Sequence, residues 1–177
     1  MSSVMLLRYV LLGLLLLTAA TGDIRNYRIN NVTVAAGMIA GLVLSLVSGG
    51  LSGLASSIFA AILPAILLIA LFALRMLGAG DIKLFCAAGS MMGVTFILPA
   101  MAFSFLSGGV AALFIMLVRG NIKQRFRHIS IYLKTSFFTG KLSPYTDFND
   151  KSDGAKFHFS LAITAGCIIQ SVLTLFY

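Results

Sequence analysis

The chain has 177 residues, of which 59% are hydrophobic and only 10% charged, with a mean hydropathy of +1.02. Soluble domains carry about a quarter charged residues, so an ordinary soluble domain is excluded. The net charge of +8 includes five aspartates and no glutamate, and the placement of the basic residues beside apolar runs argues for a membrane protein rather than a nucleic-acid binder.

A membrane-spanning helix needs roughly 20 mostly apolar residues. Six segments qualify: 4–20, 32–49, 52–74, 82–99, 100–118 and 157–176. The expectation is one all-α, polytopic membrane domain over 1–177. Its polar remainder is a basic loop at 119–156.

The first segment resembles a secretory signal peptide in having a basic residue, an apolar core and a small-residue end. Arg25 and Arg28 follow it directly and would resist translocation, which favours a retained span. The polar link "TGDIRNYRINN" then places Asp23 just past the expected end of the helix, where the dipole disfavours an anion. It could instead cap a short turn starting at Ile24.

The second and third spans are joined by "SGGLSG" and are rich in small residues that allow close helix contact. These are Ala35, Ala36, Gly37, Ala40, Gly41, Ala55, Ser56, Ser57, Ala60 and Ala61. Pro64 is expected to kink the third span.

"RMLGAGDIKLFCAAG" follows, with Gly78 and Gly80 breaking the helical run. Asp81 stands where an N-cap would stand for the fourth span, with Lys83 extending to the interface. The glycines would also let another backbone approach Asp81. The fourth and fifth spans run together, with Pro99 as their expected boundary.

Within the basic loop, Ile122, Phe126, Ile129, Leu133 and Phe137 recur on one helical face, which fits an amphipathic helix on an anionic membrane surface. Asp147, Asp150 and Asp153 share a polar stretch and are assigned no chemistry. Cys86 and Cys167 lie in apolar spans 81 residues apart, without a CxxC pair. No zinc site, disulfide framework or cofactor is expected, and both thiols read as small buried side chains.

If Met1 faces outside and the chain alternates, twelve basic residues fall on one side and only Arg8 near the other. That asymmetry makes the basic side cytoplasmic. Asp23 and Asp81 then share the cytoplasmic edge of the bilayer. Two carboxyls sharing a site hold one proton between them, which suits water-mediated peptide hydrolysis. The sequence leaves open which one carries the proton. An N-capping Asp81 would be favoured as the anion by its helix dipole, which nominates it as the base.

"Gly78-Ala79-Gly80-Asp81" with Lys83 resembles the GxGD motif of intramembrane aspartic proteases, and more narrowly the prepilin leader peptidases. That family's first aspartate stands in a pattern close to D-x5-I-P-N; here Asp23 is followed after five residues by Ile29-Asn30-Asn31, with Asn30 in place of the proline. "HFSLAITAG" (His158 to Gly166) keeps an aromatic and a final glycine of the family's last-span motif.

The resemblance implies catalytic Asp23 and Asp81, with Gly78, Gly80, Lys83 and Asn31 supporting, and no metal. It also implies a prepilin substrate, a bacterial inner-membrane location and no nucleic-acid partner. The absence of paired cysteines before the first span makes the chain similar to the short Tad/Flp-pilus (TadV/CpaA-like) peptidases, expected to cleave without N-methyl transfer. A proton-coupled transporter using the two aspartates as a relay is the competing reading. Oligomeric state is not legible.

Overall fold

The computed structural model describes residues 3–26, 29–74, 76–119 and 158–176, with helices and short connections but no strand among them. In chain order they form α1 (Ser3–Asn26), α2 (Asn31–Ala73), α3 (Ala79–Met92), α4 (Val94–Arg119) and α5 (Phe159–Phe176). All but α3 are long and apolar enough to cross a membrane. The all-α expectation holds. Apart from Arg119, the basic loop with its amphipathic helix lies outside the described residues.

α2 is broken at Gly50, whose φ of 60° and ψ of −148° lie where glycine alone is comfortable. Both arms of α2 meet the same residue of α3. Ser57 Oγ donates to the Ser90 carbonyl at 2.6 Å, and Ser90 Oγ donates to the Met38 carbonyl at 3.4 Å. In a straight helix Met38 and Ser57 would stand about 28 Å apart. The arms therefore fold back on each other, and the break falls in the turn "SGGLSG". Pro64 lies buried inside the second arm, and Gly50 is the one position in α2 with non-helical φ/ψ.

The expected boundary at Pro99 is also corrected. Gly93, at φ 88°, ends α3, and Pro99 lies inside α4. The Gly93 N–H donates to the Gly89 carbonyl, while its own carbonyl accepts from Ile97 N–H at 3.1 Å. One glycine thus closes one helix and opens the next. As a result α3 has only 14 residues, about 21 Å in length, and falls short of a roughly 30 Å hydrocarbon layer. The expected fourth span, 82–99, is not a full crossing.

α3 is instead the centre of the molecule, with every residue from Leu84 to Met91 buried. Close packing explains how so short a helix is enclosed. A Cβ on Gly41 would strike the backbone of Ser90 and Met91, and one on Gly89 would run into the Ala60 carbonyl. Gly37, Gly41, Ser57, Ala60 and Ala61 are buried as expected, whereas Ala35, Ala36, Ala55 and Ser56 face outward. Cys86 and Cys167 are both buried.

α4 and α5 form a second close pair. A Cβ on Gly166 would meet Ser104 and the Ala100 carbonyl, and Ser107 Oγ donates to the Ala162 carbonyl at 3.1 Å. Three rings tie this pair to α3: Phe85 and Phe105 have centroids 6.4 Å apart, Phe105 and Phe159 5.5 Å. Leu14, Ile39, Phe59, Ile66, Phe114 and Ile168 point outward. Hydrocarbon is the natural surrounding for such a surface.

Candidate active site

Asp23 lies within the last turn of α1, not beyond the helix as expected. Its position at a helix C-terminus is unfavourable for an anion, and α5 supplies the compensation. Ser160, the second residue of α5, donates its hydroxyl to Asp23 Oδ2 at 2.6 Å. His158, just ahead of α5, places Nδ1 3.5 Å from the same oxygen. The positive end of the α5 dipole therefore meets the negative end of α1, and the carboxylate stands between them. Phe159 seats this helix start by packing its ring, tilted, against Phe105.

Asp81 is the third residue of α3, so the expected N-cap assignment is corrected. Gly78 is the N-cap, in extended geometry and without a side-chain cap. The Gly78 backbone N–H donates to the Asp81 carboxyl, which is the backward half of a capping box. Burial, followed by the charge of Asp23, raises the Asp81 pKa from 3.8 to about 6, against the smaller opposing effect of the Gly78 hydrogen bond. Asp81 thus holds a proton more readily than a free carboxyl, against the effect expected of the helix dipole alone. Desolvation outweighs the helix start here.

The supporting residues converge on the same end. Lys83 Nζ donates to Asn31 Oδ1 at 3.1 Å, joining the first turns of α2 and α3 on an exposed surface. Asn30, which stands in the place of the family's proline, caps α2 by accepting Val32 N–H at 2.9 Å. Asparagine is among the best N-caps. Gly80 faces Ile29 at ordinary contact distance, and a Cβ on Gly78 would press to 3.1 Å from Asp81 Oδ2.

His158 and Ser160 are the residues that sequence reasoning missed. They lie in a stretch noticed for its aromatic and its glycine, but Ser160 reaches Asp23 across 137 positions, and no local spacing encodes that contact. Among the described residues, no group of three or more His, Cys, Asp or Glu side chains could hold a metal ion.

Two carboxyls from separate helices sense each other's charge at one end of the helical bundle. A family model described as the type IV leader peptidase family matches residues 10–113, more than half of the chain, and its range includes both aspartates. No curated protein and no solved structure matches. The chain belongs to the type IV leader peptidase family.

Proposed function

We propose that the chain is a membrane aspartic endopeptidase that removes the basic leader from type IV prepilins of the Tad/Flp kind, with Asp23 and Asp81 as its catalytic pair. Membership of a leader peptidase family makes peptide cleavage the activity to explain. The observation that carries the dyad is the repulsion by which Asp23 raises the pKa of a half-buried Asp81. The charge of Asp23 is felt at Asp81, which supports a shared-proton mechanism.

Ionised Asp23 accepts a proton from water as the water oxygen bonds to the scissile carbonyl carbon. Protonated Asp81 donates to the carbonyl oxygen as that oxygen gains charge. The tetrahedral intermediate collapses when the C–N bond breaks: the proton held by Asp23 passes to the leaving amine, and Asp81 takes back a proton from one hydroxyl as the new carboxyl group forms. Ser160 keeps Asp23 Oδ2 occupied and so directs the remaining oxygen, Oδ1, to water. The excess of basic residues on the aspartate side supports a site at the cytoplasmic edge of the inner membrane.

The decisive experiment is leader removal from a co-expressed Flp-type prepilin by wild type, Asp23→Asn and Asp81→Asn. Both substitutions abolish cleavage while leaving the protein in the membrane. Cleavage that survives either one would exclude the dyad.

A further inference from the structure

The end of the bundle opposite the aspartates carries a second polar site. Arg8 and Asp23 are both on α1, 15 residues apart, which puts about 22 Å between them along the helix axis. Arg8 Nη2 donates to Ser48 Oγ at 3.0 Å and Ser45 Oγ at 3.3 Å, both near the Gly50 fold of α2. Among the described residues Arg8 pairs with no carboxylate, and its Nε is buried without an acceptor. Beside it is a half-open cavity of about 120 Å³, lined by Arg8, Ser45, Gly53, Ser56, Ser57, Ser90 and Gly93.

A guanidinium satisfied only by two neutral hydroxyls, with a buried donor left over, has a strong unmet demand for an anion. Its fixed fork of donors matches phosphate oxygens. The cavity walls add hydroxyl-bearing side chains, and Gly93, where a Cβ would have nothing within 4 Å, leaves room for an incoming group. With the aspartates at one membrane edge, a separation of about 22 Å brings Arg8 within reach of the headgroup layer of the opposite leaflet, where phosphates are the abundant anions.

We propose that Arg8 and the serine-lined cavity form a phosphate-binding site that takes the headgroup phosphate of a phospholipid from the leaflet opposite the catalytic pair. The site pins α1 to the fold of α2 from outside the protein. It does not depend on the peptidase reading and is tested without it.

The test is thermal unfolding and native mass spectrometry of purified protein in neutral detergent. Three additions are compared: short-chain phosphatidylglycerol, a glycolipid with the same acyl chains but no phosphate, and inorganic phosphate. Phosphatidylglycerol is retained and raises Tm, whereas the glycolipid is not retained. Arg8→Gln weakens that binding roughly tenfold or more, as loss of a charge-assisted hydrogen bond requires, and Arg8→Lys restores part of it. Ser56→Leu, which fills the cavity mouth and leaves Arg8 in place, lowers lipid retention and serves if Arg8→Gln does not fold. Protection by inorganic phosphate alone keeps the phosphate site and overturns the lipid as its occupant. Equal retention of the glycolipid, or undiminished lipid binding by both Arg8→Gln and Ser56→Leu, overturns the proposal.

Discussion

The hydroxyl of Ser160 donates to Asp23 Oδ2 at 2.6 Å, so the last described helix holds the acidic group of the first. In the proposed mechanism Ser160 is a positioning residue, which orients Asp23 as the base without meeting the scissile bond. Replacing it with alanine removes a hydrogen bond to a charged acceptor, worth about 1.5–3 kcal/mol. Ser160→Ala therefore lowers kcat roughly 10- to 100-fold with little change in KM, and Ser160→Thr, which retains the hydroxyl, recovers most of it. Equal rates for the alanine variant and wild type would show that Asp23 needs no such support.

Asp81 gives a definite pH dependence. Its folded-state pKa of about 6 lies above the reference 3.8. The folded protein therefore binds this proton more tightly than the unfolded chain. Its contribution to stability is complete below about pH 3.8 and is lost as pH rises through about 6. The same proton serves catalysis, so kcat/KM of the free enzyme falls on the alkaline side of about pH 6. A kcat/KM profile flat from pH 5 to pH 8, values chosen to bracket that limb by roughly a unit or more, contradicts the assignment.

Removing one charge reports on the other. Asp23→Asn takes away the repulsion that helps raise the Asp81 pKa, so the stability step in thermal unfolding moves to lower pH. Asp81→Asn abolishes that step. An Asp23→Asn protein whose step stays in place would mean that burial alone sets the Asp81 pKa.

Close helix contacts make a fourth, purely structural prediction. A side chain at Gly41 must displace the backbone of Ser90 and Met91, whereas a Cβ on Gly13 would have nothing within 4 Å. Gly41→Val destabilises by about 1–3 kcal/mol or more through overpacking. Gly13→Ala is neutral or slightly stabilising, since alanine is the better helix former. Comparative unfolding in one detergent checks both.

The Lys83–Asn31 contact is exposed, and exposed polar pairs contribute little, typically below about 1 kcal/mol. Lys83→Ala leaves Tm nearly unchanged. A large fall in cleavage without a fall in Tm would instead assign Lys83 to leader binding.

That Asp81 would feel the charge of Asp23 was legible because alternating apolar runs and charge asymmetry put both acids at one end of the expected spans. The Gly50 fold was legible for a similar reason, since "SGGLSG" interrupts two apolar runs with turn formers. The end of α3 was not. Gly93 stands inside a continuous apolar stretch, and Pro99 offered the stronger local signal although helix α4 accommodates it. The roles of the two acids were also hidden. A helix-start dipole can be inferred from spacing, but the burial that overrides it at Asp81 belongs to the assembled bundle. The hold of Ser160 on Asp23 is likewise tertiary, set by the contact of the Phe159 ring with Phe105 and by close α4–α5 packing at Gly108 and Gly166.

Because α3 is enclosed by protein along Leu84–Met91, acyl-chain length does not dictate the depth of its start. Thicker or thinner bilayers tilt the outer helices, which are the ones that touch lipid. The inner helix keeps its register against α2 through Ser57, Ser90 and Gly41. Asp81 is therefore suspended from its neighbours, and its height is independent of the membrane in which the protein is placed.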